Sequence, residues 1–149
     1  MCYQTGAMAK RSKPAFWEQG LRFECQGSGR CCRSRGPYGY VYVTLADRRR
    51  LAAHLGLSTS AFTRRCCERD GEDVYLKHPE LDCGFMEGTG CSVYEARPLQ
   101  CRTWPFWPEN LERRVWKREI APYCPGVGQG RLHTAEEIRA ILRLLEQEG

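Results

Sequence analysis

The stretch FECQGSGRCC, residues 23 to 32, places three cysteines within a glycine-rich turn, two of them adjacent. The whole chain carries ten cysteines in 149 residues, several times the ordinary usage. Thiols at that density must be disulfides, reactive nucleophiles or metal ligands, and the choice constrains the fold more than any other feature. The opening MCYQTGAMAKRSKPAFWEQG holds no apolar core of a secretory signal. No apolar run elsewhere approaches the roughly 18 residues of a membrane span. The expectation is therefore a cytoplasmic chain with no membrane partner. In a reducing compartment, persistent disulfides are rare and clustered cysteines serve metals or catalysis. Met8 offers a second start, which would leave Cys2 in a dispensable extension.

Hydrophobic residues at 42% and charged residues at 28% are ordinary globular values, and the length suits one domain. Residues 1–20 read as a flexible, basic N-terminal segment, and 21–149 as one cysteine-cluster domain ending in a helix. Gly36-Pro37 punctuates the start of YGYVYV, 38 to 43, which alternates as a strand does. Thr44 with Asp47 three positions on opens a helix that Gly56 closes. Ser58 to about Arg69 reads as a second helix, and Asp73 to Lys77 as a second short strand. Thr134 and Glu137 form a capping box for the last helix, whose apolar face is Ile138, Ile141, Leu142 and Leu145. From His78 to Gly130 no period is sustained, and a compact domain tolerates so long an irregular stretch only when something else organises it. The expected class is a small α+β domain with a short strand pair, about three helices and an irregular, cysteine-rich, metal-binding half.

Seven cysteines sit in loop-like sequence beside Gly or Pro: Cys25, Cys31, Cys32, Cys83, Cys91, Cys101 and Cys124. Glycine lets a backbone curl so that several sulfurs, and the N–H groups that stabilise them, face one centre. No CxxC or HxxxH occurs, so the spacing is not that of a zinc ribbon. The Cys31 and Cys32 side chains are expected to diverge, toward two centres or with only one at the metal. Zinc in a tetrahedral thiolate site and an iron–sulfur cluster such as [4Fe-4S] both fit the set. His78, near Cys83, is the one histidine placed to complete a three-cysteine site. Cys66 and Cys67, inside the second helix, read as packing residues, one facing the core and the other solvent.

The combination of FECQGSGRCC with DCGFMEGTGCSVYEARPLQCRTWPF resembles the cysteine-cluster proteins of the YkgJ type over about residues 21 to 130. That resemblance implies a zinc- or iron-chelating domain, with Cys25, Cys31, Cys32, Cys83, Cys91 and Cys101 matching the cluster. Cys124 matches the trailing cysteine of a similar subgroup. The family pattern often reads CxxCGxCC; here Ser28 replaces its second cysteine, where a hydroxyl can hydrogen-bond a thiolate. Some relatives are described as flagellin lysine N-methylases, and for that branch an iron–sulfur cluster is implied.

A four-thiolate zinc or four-iron centre carries about two net negative charges. Arg97 and Arg102 stand close enough in sequence to offset that charge, and Pro98 fixes the turn between Cys91 and Cys101. Trp104, Phe106, Trp107 and Trp116 are expected to roof the site and exclude water rather than stack bases. Gly126, Gly128 and Gly130 read as a turn, since they follow no strand and lack the Lys-Ser/Thr of a phosphate loop. The leading expectation is a metal-binding module. An iron–sulfur enzyme, methyltransferase-like or redox, is the alternative. A second alternative is an RNA-associated or assembly factor with a protein or nucleic-acid partner, drawn from the net charge of +5 and the runs at Arg48 to Arg50, Arg64-Arg65 and Arg113 to Arg118.

Overall fold

Three side-chain caps set the three long helices. The structure, a computed structural model, describes residues 13–33, 40–77 and 82–148. Cys2, Met8, Gly36, Pro37, the first two residues of the 38-to-43 stretch and His78 lie outside them. Helix α1 (Leu45–His54) begins with the reciprocal pair the sequence predicts: Thr44 Oγ1 accepts the Asp47 N–H and Asp47 Oδ2 accepts the Thr44 N–H, each at 3.1 Å. Ser58 Oγ accepts the Ala61 N–H at 3.1 Å to open α2 (Thr59–Cys66). Later in the chain, Thr134 and Glu137 cap α6 (Ala135–Glu148) in the same reciprocal way, at 3.2 and 2.7 Å. Such caps satisfy N–H groups that the helix itself leaves without partners.

The second helix is shorter than the sequence suggests. It stops at Cys66, and Cys67–Asp70 is a strand, β2, that turns at Gly71 (φ 59°) into β3 (Asp73–Leu76). Tertiary pairing overrides helical propensity here, because β2 buries Cys67 against the core that α1 and α2 build. Residues 40–43 run extended beside β3, with Tyr42 bridged to Tyr75 and Val43 N–H bonded to the Val74 carbonyl. Val43, Leu51, Phe62, Val74, Leu76 and Val93 form the centre of this first core.

A second core gathers Trp104, Phe106, Trp116, Ile120 and Ile138. It contains two strands the sequence does not announce. β1 (Leu21–Phe23) pairs antiparallel with β6 (Val127–His133), so the glycines at 126 to 130 lead into and along a strand rather than form a free turn. Gly126 is needed where the strands meet, because a Cβ there would lie 2.4 Å from the Glu24 carbonyl. The folded chain also begins earlier than Gly20. Residues 16–19 form a turn, Phe16 and Trp17 pack on the second core, and Glu18 pairs with Arg139 of α6. Two aromatic rings are too large an apolar area to leave in water, which is why this part of the basic segment is anchored.

Between the cores the chain is built of short pieces. The hairpin of β4 (Met86–Glu87) and β5 (Gly90–Cys91), a 3-10 turn (Tyr94–Ala96) and α3 (Leu99–Thr103) follow one another. Three consecutive helical pieces then run from α4 (Arg113–Val115) through a π-helical segment (Trp116–Ile120) to α5 (Ala121–Tyr123). The fold is thus a small α+β domain, with three two-stranded antiparallel ladders where the sequence suggests one strand pair. Among the described residues no helix is long and apolar enough to cross a membrane.

Candidate metal centre

Six of the seven loop cysteines line one cavity of about 110 Å³: Cys25, Cys31, Cys32, Cys83, Cys91 and Cys101. It lies at the seam of the two cores, walled on one side by Val41, Leu76, Phe85 and Val93, and on the other by Trp104 and Trp107. The thiols arrive from four separate pieces of chain. Cys25 sits in the loop after β1, Cys31 and Cys32 on a 3-10 turn (Arg30–Cys32), Cys83 and Cys91 at the start and end of the β4–β5 segment, and Cys101 on α3. Cys101 is therefore helical, not in a loop.

Backbone contacts lock these pieces together. The Cys83 N–H donates to the Cys32 carbonyl at 2.8 Å, and the Ser92 N–H to the Phe85 carbonyl at 2.8 Å. Gly29 has φ +69°, and a Cβ on it would lie 2.5 Å from the Thr89 carbonyl oxygen, so the first loop seats on the hairpin only as glycine. Tyr123 and Arg30 clamp the same loop to α5: the Arg30 guanidinium donates to the Tyr123 carbonyl at 2.9 Å, and the Tyr123 hydroxyl donates to the Arg30 carbonyl.

Three of the sulfurs receive a backbone N–H from two residues further on. Gly27 donates to Cys25 Sγ at 3.5 Å, and Phe85 and Val93 donate toward Cys83 and Cys91. Such donors favour the thiolate. The remaining influences oppose it. A hydrogen bond with Cys31, followed by burial, raises the Cys32 pKa well above the ordinary thiol range. Burial and then the neighbouring Cys83, Cys31 and Cys91 do the same for Cys101. Burial is also the main cause that raises Cys83 and Cys91. The Arg97 guanidinium works the other way on Cys91 and Cys101. Sulfurs that resist ionising beside one another, yet have N–H groups aimed at them, suit a cation that would neutralise them together. Zinc or iron fits this donor set. Among the described residues no three His, Cys, Asp or Glu side chains already stand in a metal-holding arrangement.

Cys31 and Cys32 do not diverge as expected; the 3-10 turn, closed by the Cys32 N–H on the Gly29 carbonyl at 3.0 Å, curls both toward the same cavity. Cys124 is not brought there. It caps α5, half-buried against the second core. Ser28 Oγ accepts the Arg30 N–H at 3.4 Å. Cys67 is buried in the first core, which pushes its thiol up to about 11, and Cys66 is half-buried beside it. Arg97 lines the cavity, its guanidinium 3.7 Å over the Tyr94 ring, whereas Arg102 does not line it and stands exposed on α3 beside an adjoining cleft. The aromatic group divides: Trp104 and Trp107 wall the cavity, while Phe106 and Trp116 stack in the second core with centroids 6.0 Å apart. The basic run on α1 is partly internal, since Arg48 donates to Thr63 and Arg50 to Asp47 and the Arg97 carbonyl.

Sequence reasoning missed two contributors. Gln100 lines the cavity, donates from its side-chain amide to the Tyr40 carbonyl and accepts from the Tyr42 N–H, which fixes the strand-like 40–43 segment to α3. Asp47 is 2% exposed, and its Oδ1 accepts the Leu99 N–H at 2.9 Å. Its helix-capping signal was visible in the sequence, but its long-range bond was not. A separate groove of about 690 Å³ beside Tyr42, Asp73 and Glu109 is lined by no cysteine.

A thiol-lined cavity at the seam of an α+β domain defines a class of cysteine-cluster proteins. The chain belongs to the family described as "CxxCxxCC: Putative zinc- or iron-chelating domain", whose model matches residues 24–125. It is also similar to an uncharacterised protein of Methanocaldococcus jannaschii, 28% identical over 128 residues, which cover 80% of this chain and 43% of that relative. The chain thus spans less than half the length of that relative. No solved structure matches it.

Proposed function

We propose that this protein binds zinc or an iron–sulfur cluster through Cys25, Cys31, Cys32, Cys83, Cys91 and Cys101. The observation that carries this reading is the convergence of six thiols from four chain segments on one apolar cavity, with backbone N–H groups directed at three of them. When bound, zinc would supply a cross-link between the two cores, and an iron–sulfur cluster would supply one-electron chemistry as well. Arg97 stands at the wall to offset the negative charge of the thiolates. Gln100, Trp104 and Trp107 hold that wall in place and limit water. Cytoplasmic placement, where thiols stay reduced, accords with the reading.

A second reading, that an iron–sulfur centre here serves a redox or methyltransferase-like enzyme, draws support from one feature. The cavity shares Cys25, Cys31 and Cys101 with a wider, open cleft, so a molecule can approach the centre.

The deciding experiment is metal and sulfide analysis with a visible spectrum on protein purified without oxygen, alongside Cys31→Ser and Cys91→Ser. Iron with sulfide and a charge-transfer spectrum identify a cluster; stoichiometric zinc in a colourless protein identifies a structural centre. Either metal must fall in both variants. Protein that binds neither metal when so purified would sink the proposal.

A further inference from the structure

The cavity does not end in solvent. It opens into a cleft of about 310 Å³ whose floor includes Cys25, Cys31 and Cys101, shared with the thiol cavity. Around that floor stand Arg97, Arg102 and Arg131, with His133 and a single acid, Glu24. Three guanidinium groups gather on one small concave surface, one of them paired with Glu137, and such a surplus of positive groups in a cleft favours anions.

Two of these three arginines, Arg97 and Arg102, have no carboxylate partner among the described residues. Arg131 is engaged by Glu137, with its guanidinium 2.9 Å from Oε1. Arg97 donates Nε–H to the Tyr94 carbonyl at 2.9 Å and lies on the Tyr94 ring, but has no carboxylate partner among the described residues. The Arg102 backbone N–H donates to the Pro98 carbonyl at 2.9 Å, while its guanidinium, exposed on α3 one position after Cys101, has no hydrogen-bond or ion-pair partner among the described residues. Its placement is fixed from below, because α3 is anchored at Leu99 by Asp47 and its Thr103 hydroxyl donates to the Leu99 carbonyl at 2.8 Å. The anchored helix α3 therefore presents a forked donor in a cleft that shares three cysteines with the thiol cavity.

We infer that this cleft is an anion-binding site. It takes a small organic molecule by a carboxylate or phosphoryl group held on Arg97 and Arg102, and sets the rest of that molecule against Cys25, Cys31 and Cys101. Guanidinium forks match both head groups in a two-pronged geometry. Tyr94 and Trp104, also in the cleft wall, supply apolar contact for the remainder. The assignment deepens the metal-centre reading and, for its purpose, rests on it, since a molecule so held would lie beside the centre. The binding itself is argued from the arginines alone.

The test is calorimetric titration of the full chain, as purified with its metal and at low salt, with inorganic phosphate and separately with succinate. The metal content of every sample is measured alongside. Wild type should bind at least one of the two saturably, and the tighter one distinguishes a phosphoryl from a carboxylate ligand. Arg102→Ala should weaken that binding about tenfold or more, the size expected for one charge-assisted contact. Arg102→Lys should fall between, and Arg143→Ala, on the exposed face of α6, should match wild type. Metal content should be equal throughout. The inference is overturned if neither anion binds saturably, if Arg102→Ala binds as wild type does, or if that variant loses metal in step with the anion. The last result would show that Arg102 serves the thiolates instead. Should wild type itself arrive without metal, the metal reading fails, while the same titrations still decide the cleft.

Discussion

Asp47 Oδ1 on the first helix accepts the backbone N–H of Leu99, 2.9 Å away and 52 positions on, at the first residue of the helix that carries Cys101. The same carboxylate caps its own helix through Thr44 and pairs with Arg50 at 2.7 Å. One buried acid thus ties the first core to the thiol cavity. Asp47→Ala should destabilise the fold by about 2 to 4 kcal/mol, because it strands two N–H groups and a guanidinium. Chemical denaturation of the two proteins at equal metal loading measures this.

The proposed reading makes ligands of the cysteines that line the cavity and packing thiols of those that do not. Cys101→Ser should lose most of its bound metal, whereas Cys124→Ser and Cys67→Ser should keep it, since neither lines the cavity. Metal analysis of the three purified variants decides it. Loss of metal from Cys124→Ser would mean that the π-helical region moves on loading.

Gly29 and Gly27 make a controlled comparison. Both have positive φ, but a Cβ at Gly27 meets nothing within 4 Å while one at Gly29 meets the Thr89 carbonyl at 2.5 Å. Gly27→Ala should cost about 1 to 2 kcal/mol from backbone strain alone. Gly29→Ala should cost more and should also lower metal content, because the first cysteine loop could no longer seat on the hairpin. Equal effects in thermal melts would argue against that seating.

Stripping the metal should lower the unfolding midpoint, and at a free-metal level about 100 times the dissociation constant the loss amounts to about 2.7 kcal/mol. Calorimetric melts before and after chelation, or after oxidative bleaching for a cluster, give the value. Reloading should release protons to the buffer, since bound thiols must ionise.

Glu137 tests the last helix. Its carboxyl is held below the usual range by the Thr134 N–H and by Arg131. A depressed folded pKa contributes stability that is present above the unfolded value of about 4.3 and is lost as pH falls through the folded one. Glu137→Gln should therefore melt below wild type at neutral pH, and the gap should close on acidification through the carboxylate range. A gap that is constant with pH would mean the cap acts by shape and not by charge.

The elements with short-range signals were legible from sequence. Thr44 with Asp47, Ser58, and Thr134 with Glu137 announce their helices because a cap and its partner lie within one turn. Cys25, Cys31, Cys32, Cys83, Cys91 and Cys101 could be singled out by their glycine and proline neighbours. The pairing of β1 with β6 could not be foreseen, since Leu21 and His133 meet across most of the chain and β6 is rich in the glycine that strands usually avoid. The end of α2 at Cys66 was hidden for a related reason: the hairpin that follows is selected by what Cys67 and Leu76 bury, not by local propensity. Nor could spacing say that Cys31 and Cys32 face the same way, because that follows from the curl of a single 3-10 turn.

Neither core closes the thiol cavity alone. Sulfur-bearing loops backed by one core meet an aromatic wall backed by the other, so a half-assembled chain displays scattered thiols and no pocket for an ion. On the proposed reading, an ion would find its complete set of sulfurs only once both cores have met.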